Sequence, residues 1–134
     1  MDTTNKMKTY RVVRGEIVWL KNDISINLGS NVQDMDRPYV VISNNINNGN
    51  DDCPIINIAC LTKKVSKSNY PMHVLIQGDK YGLNFDSVIC AEQVMTVNKD
   101  LISDSIAVLD ADDIKKLDRA IAVQLICERQ PAMV

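Results

Sequence analysis

Short apolar runs rich in β-branched residues, separated by clusters of turn formers and polar residues, recur along this chain, and only residues 110–127 carry a clear helical period. The runs lie within 10–20, where Gly15-Glu16-Ile17-Val18-Trp19-Leu20 is the core of the segment, and at 38–43, 55–62, 72–76 and 87–97. The last has a bend expected near Gln93, and 106–109 is a final short strand or lead-in to the helix. Runs of this length and composition read as strands, and Pro38 heads its run, where a missing N–H is tolerated. Between them, 21–36 and 63–71 are polar connections, 79–86 turns around Gly82, and 98–102 is expected to form a short helical turn. The asparagine-rich stretch 44–52 is expected to be an exposed loop. From residue 110, Ile114, Leu117, Ile121 and Leu125 share one helical face. Asp110 is placed to cap that helix, Asp112 and Asp113 complement its dipole, and Leu109 with Ile114 suits a hydrophobic staple. This pattern predicts a mainly β fold, an antiparallel barrel or half-barrel closed by one C-terminal helix.

A chain of 134 residues suits one domain with a real core. That domain is expected over residues 10–129, with a polar lead at 1–9 and a loose tail at 130–134. The net charge of −2 argues against a protein that coats nucleic acid by bulk electrostatics. Locally the balance differs: within 60–82, Lys63, Lys64, Lys67 and Lys80 stand against Asp79 alone, as a basic patch or a solvated loop. Cys53, Cys60, Cys90 and Cys127 are scattered, no Cys-x-x-Cys occurs, and His73 is the sole histidine. That spacing argues against a zinc site, and no metal or cofactor is expected. Cys60 and Cys90 in apolar runs and Cys127 in the helical pattern read as small buried hydrophobes, and the set suggests a reducing compartment. The N-terminal residues are polar and no stretch reaches the roughly 18 apolar residues of a membrane span, so a cytoplasmic protein without membrane contact is expected.

Few side chains suited to catalysis remain. Arg37 opens the run Arg-Pro-Tyr-Val-Val-Ile and Thr62 closes Ile-Ile-Asn-Ile-Ala-Cys-Leu-Thr. If these runs pair as neighbours, a guanidinium and a hydroxyl meet at one rim, an arrangement suited to gripping a phosphate. That grip makes phosphodiester chemistry a candidate beside a plain small β domain.

Taken in order, Arg14-Gly15-Glu16-Ile17-Val18, Arg37-Pro38-Tyr39-Val40-Val41-Ile42-Ser43-Asn44, Ala59-Cys60-Leu61-Thr62, Pro71-Met72-His73-Val74, Asp86-Ser87-Val88-Ile89 and Glu92-Gln93-Val94-Met95-Thr96-Val97 resemble the toxins of the MazF/PemK family. The resemblance spans roughly residues 10 to 127 and implies an SH3-like barrel that forms a homodimer. It implies a metal-independent, sequence-selective endoribonuclease that cuts single-stranded RNA, usually messenger RNA, leaving a 2′,3′-cyclic phosphate and a 5′-hydroxyl. It further implies a cognate, MazE-like antitoxin. The family's catalytic arginine and strand-ending threonine carry over to Arg37 and Thr62, and an acid found in some members carries over to Glu92.

In this reading Arg37 clamps the phosphate and serves as a candidate proton donor to the leaving oxygen, Thr62 orients the phosphate, and Glu92 is the candidate base. Substrate contacts are expected from Gly29, Ser30 and Gln33 in the long loop, from Lys63 and Lys64, and from Ser87 and Gln93. The alternatives are a surface ion pair of Arg37 with Asp34 or Asp36, a plain strand-end hydroxyl at Thr62, a structural hydrogen bond at Glu92 and a structural role for His73. Trp19 reads either as core or as a base-stacking platform. Two features depart from the family pattern. Asn31-Val32-Gln33-Asp34-Met35-Asp36 replaces a glycine-bearing loop before Arg37, and Met95 stands where a cation is common. A CcdB-like gyrase inhibitor without enzymatic activity, or a weakened member that only binds a partner, is the competing function.

Overall fold

The computed structural model describes residues 11–21, 37–63 and 70–126. Strands β1 (Glu16–Leu20), β2 (Tyr39–Val41), β3 (Ile55–Lys63), β4 (His73–Ile76), β5 (Ser87–Asn98) and β6 (Ile102–Val108) form one antiparallel sheet in the order β4-β5-β3-β2-β1-β6. A single helical turn, α1 (Asn45–Asn48), follows β2, and the helix α2 (Ala111–Leu125) follows β6. Short 3-10 turns occupy Gly78–Lys80 and Lys99–Leu101, the second within the helical turn expected at 98–102.

Alternation along the strands buries both faces of the sheet. One face carries Ile17, Val40, Ala59, Leu61, Val74, Ile76 and Ile89, and Leu117 and Ala120 of α2 join that cluster. The other carries Val18, Tyr39, Val41, Ile58, Cys60, Val88 and Cys90. These members of both clusters are at most 6% exposed, so each strand is held from two sides by apolar burial. Pro38 lies just outside β2, where its carbonyl still accepts from Leu61 N–H at 3.1 Å. Asp110 caps α2 by accepting from Asp113 N–H at 2.9 Å, as its place before the helical period predicts.

Two segments differ from the sequence expectation. The asparagine-rich stretch contains α1, capped by Asn44, whose side chain accepts from Asn47 N–H. Within it Asn48 is 2% exposed, because its amide donates to the Ser43 carbonyl at 2.8 Å and its oxygen accepts from the Ser43 hydroxyl at 2.6 Å. Lys99, buried at 3% exposure, donates to the carbonyls of Asn47 at 3.2 Å and Asn50 at 2.9 Å. It satisfies the carbonyls that a one-turn helix leaves open. The final strand is also longer than 106–109: it begins at Ile102, and its exposed Asp104 and Ser105 pair with β1. That polar start, typical of an edge strand, conceals it from an apolar-run reading.

The turn between β4 and β5 is tied to the start of α2. Tyr81 donates its hydroxyl to Asp113 at 2.6 Å and accepts from Asp110 N–H at 3.0 Å, while Lys80 pairs with Asp110 at 2.7 Å. Burial, reinforced by the Asp113 carboxylate, pushes the Tyr81 phenol up to about 12. The Asp110 hydrogen bond likewise raises Lys80, and Lys80 lowers Asp110. Among the described residues no helix is long and apolar enough to cross a membrane.

Two substitutions probe this turn. A Cβ at Gly78 would be driven into the Phe85 backbone carbonyl, whereas one at Gly82 meets open space at φ 74°. Gly78→Ala is therefore expected to cost about 3 kcal/mol, since backbone cannot yield by changing rotamer. Gly82→Ala should cost about 1 kcal/mol, the strain of a left-handed residue. Urea titration of both variants checks the order.

A raised phenol pKa stabilises the fold fully below the ordinary 10.0 and is lost as pH climbs toward about 12. Tyr81→Phe should cost about 1–2 kcal/mol at neutral pH, by stripping buried Asp113 of a donor. It should also flatten the alkaline decline in Tm between those two values. An unchanged alkaline arm would assign the decline elsewhere.

Candidate active site

Register brings the two residues singled out from sequence together. Tyr39 lies opposite Cys60 in the β2–β3 ladder, so stepping outward by two residues on each strand places Arg37 level with Thr62. Arg37 Nη1 donates to Thr62 Oγ1 at 3.1 Å. Both side chains are partly buried there, which strengthens electrostatics relative to open solvent.

A second group stands one strand pair inward. Cys60 is opposite Cys90 on β5, and Cys90 is opposite His73 on β4, so His73, Cys90 and Cys60 form a lateral row on one face of the sheet. The ladder slips between Ala59 and Cys60: Ala59 pairs with Val94, then Cys60 with Cys90. Residues 91–93 bulge as a result. From this bulge Glu92 reaches His73, with Oε2 at 3.0 Å from Nε2, and the Tyr70 ring sits edge-on to the imidazole at 5.0 Å. Glu92 Oε1 is buried and has no hydrogen-bond partner among the described residues.

The thiols share a hydrogen bond that pushes Cys60 up, with burial adding to it, and lowers Cys90. Arg37 lowers both and Glu92 raises both, so the cation and the carboxylate each lie within electrostatic reach of the cysteine pair. The spacing argument against a metal site does not extend to this geometry. His73, Cys90 and Glu92 bring one donor atom each to within 4.8 Å of one another.

Beside Arg37 opens a cleft of roughly 400 Å³, lined by Trp19, Arg37, Pro38, Leu61, Lys63, Gly82, Leu83, Asn84, Phe85, Ser87 and Ile106. Trp19 is 38% exposed and Phe85 53%, so the single tryptophan belongs to the cleft wall and not to the core. Lys63 Nζ lies over the Phe85 ring at 4.1 Å from its centroid. Ser87 lines the cleft and donates to the Phe85 carbonyl at 3.1 Å. Gln93 sits on the β5 bulge and is not among the cleft-lining residues. Gly29, Ser30, Gln33, Asp34, Asp36 and Lys64 lie outside the described residues.

Met95 pairs with Ile58 and packs on the second apolar cluster, which accounts for an apolar residue there. Phe85 and Asn84 escaped the sequence reading because they fall in a turn-forming stretch. The signal was the chain's only phenylalanine placed where no strand could bury it.

Residues 13–125 match the PemK-like, MazF-like toxins of type II toxin–antitoxin systems. The chain is 37% identical over 114 residues to the endoribonuclease EndoA of Bacillus subtilis, covering 85% of this chain and 94% of that protein. It is 35% identical over 89 residues to the endoribonuclease MazF of Staphylococcus saprophyticus, covering 66% and 72%. Among solved structures, MazF from Deinococcus radiodurans superposes with a TM-score of 0.66 at 20% identity, over 87% of this chain and 97% of that one. A mycobacterial endoribonuclease in complex with its cognate antitoxin gives 0.64 at 21%, over 85% and 94%. The chain belongs to the MazF/PemK toxin family.

Proposed function

We propose that this toxin is an endoribonuclease that cuts single-stranded RNA at the Arg37–Thr62 pair. The observation that carries the reading is the 3.1 Å contact between guanidinium and hydroxyl at the mouth of a cleft walled by two exposed aromatic rings. A guanidinium holds two phosphoryl oxygens at once, and stacking on aromatic rings accepts any base. The scissile phosphate then rests on Arg37 and Thr62, with a flanking base against Trp19 or Phe85 and Lys63 beside the backbone.

In the reaction the 2′-oxygen attacks the adjacent phosphorus, its proton passes to a base, and the P–O5′ bond breaks as the 5′-oxygen takes up a proton. A 2′,3′-cyclic phosphate and a 5′-hydroxyl result. Arg37 neutralises the extra negative charge of the pentacoordinate state, the usual source of the largest catalytic term. Glu92 is the proton acceptor in this reading, supported by its bare buried Oε1, and His73 holds the other oxygen. No metal takes part. The solved antitoxin complex of a structural relative supports a cognate MazE-like antitoxin for this chain. A homodimer acting on cytoplasmic messenger RNA fits the same reading.

Incubating the protein with a long RNA in EDTA and mapping the ends tests it. Cleavage with cyclic-phosphate ends is expected, falling by about 10²–10³-fold in Arg37→Ala and by about 10-fold in Thr62→Ala, the worth of one charge-assisted hydrogen bond. Undiminished cutting by Arg37→Ala overturns the site. Phe85→Ala and Trp19→Ala should raise KM by about 5–150-fold with little change in kcat, matching about 1–3 kcal/mol of stacking per base. A fall in kcat alone would remove the rings from substrate binding.

A further inference from the structure

We propose that His73, Cys90 and Glu92 form a binding site for a thiophilic divalent transition metal, with zinc as the natural occupant, and that its binding shuts off cleavage. The three donors are of three kinds, an imidazole nitrogen, a thiol sulfur and a carboxylate oxygen, all within 4.8 Å of one another. Tetrahedral zinc with ordinary bond lengths needs donor separations of about 3.3–3.6 Å, so closure asks for side-chain shifts of about 1 Å. His73 Nε2 and Glu92 Oε2 already stand 3.0 Å apart.

The backbone fixes the donors from independent directions. Register sets His73 opposite Cys90, and the bulge at 91–93 carries Glu92 to them. Supporting groups are in place as well. The Tyr70 ring packs edge-on against the imidazole, Cys60 stands opposite Cys90 in the ladder, and Glu92 Oε1 is a buried acceptor with no partner among the described residues. Such second contacts orient ligands and raise metal affinity. The His73 and Glu92 side chains remain 23% and 27% exposed, which gives an ion a way in, and three protein ligands leave a fourth coordination position open. A thiolate among the donors selects zinc or cobalt over magnesium, which prefers oxygen.

The inhibitory half rests on the proposed role of Glu92. A carboxylate that ligates a cation cannot take the 2′-hydroxyl proton, so metal binding removes the base and leaves Arg37 and Thr62 untouched. The binding half stands without it.

Titrating the chelator-stripped protein with Co²⁺ reads the site directly. Expected are visible d–d bands together with a thiolate-to-cobalt charge-transfer band, both erased by Zn²⁺ and unaffected by Mg²⁺. Cys90→Ser should lose the charge-transfer band, and His73→Gln should keep that band while binding about 10–100-fold more weakly. The second variant decides the matter if the first does not fold. No charge-transfer band in the wild-type protein, or an unchanged one in Cys90→Ser, overturns the site.

RNA cleavage is then followed with and without Zn²⁺. Wild-type activity should be lost on adding Zn²⁺ and restored by EDTA, while Cys90→Ser, which touches no substrate in this reading, should cut RNA at the wild-type rate and resist Zn²⁺. Cobalt binding without inhibition would overturn the regulatory half. A protein that binds cobalt as described yet never cuts RNA would instead overturn the assigned activity and uphold the metal site.

Discussion

The pairing of β3 with β5 determines where the functional side chains come to lie. From Ile55 to Ala59 the ladder runs in one register, and from Cys60 to Lys63 in another. Continued unbroken, the first register would set Thr62 opposite Ala91 and Lys63 opposite Cys90. Instead residues 91–93 leave the β3 ladder, and Ala91 N–H donates to the Met72 carbonyl at 3.0 Å, so β5 spends the bulge gaining β4 as a partner. Alternation also breaks once there. Ala91 and Val94 pack in the same cluster, although an uninterrupted strand would put residues three apart on opposite faces. One irregularity thus sets Cys60 opposite Cys90 and lets Glu92 reach His73, while the β2–β3 ladder holds Thr62 level with Arg37. Bulges beside functional groups commonly serve to re-aim side chains.

What the sequence discloses follows from the range of the interaction that carries the information. The strand runs, the capped helix at Asp110 and the turn at Gly82 are local, set by propensity, period and backbone freedom, and they can be read without coordinates. Arg37 and Thr62 could be paired because each sits at the end of an apolar run, which turns a long-range contact into a question of register. The row of His73, Cys90 and Cys60 offers no such handle. Its members lie on three strands, and the slip that aligns them leaves no trace in residue spacing. Asn48 and Lys99 were hidden for another reason. Polar residues are expected outside, and these two are buried because each satisfies backbone or side-chain groups of the α1 turn.

The same turn chemistry shapes the cleft. Gly78 N–H donates to Asp86 Oδ1 at 2.9 Å, and Leu83 N–H donates to the Gly78 carbonyl at 2.9 Å. These bonds fold residues 78–86 back on themselves and push Asn84 and Phe85 outward beside Arg37. The turn is in turn fastened to α2 through Tyr81 and Lys80. An aromatic platform displayed on such a braced loop loses less conformational freedom on meeting a base than one on a slack segment would, so the helix contributes to binding without facing the substrate.

Charge placement explains how a chain of net charge −2 handles a polyanion. Three acidic residues of and around α2 are matched where they stand: Asp110 and Asp113 by Lys80, Asp113 also by Lys116, and Asp118 by Arg14 at 2.6 Å. Asp110 and Asp113 also take part in the capping contact at the helix N-terminus, where the dipole favours negative charge. At the cleft Arg37 donates to the neutral Thr62 hydroxyl, and Lys63 lies over the Phe85 ring. The hydroxyl can share a phosphate with Arg37, and the ring can stack against a neighbouring base. Net charge is a poor guide to partners in such a protein because screening over roughly 8–10 Å makes the field at the site a matter of its own residues.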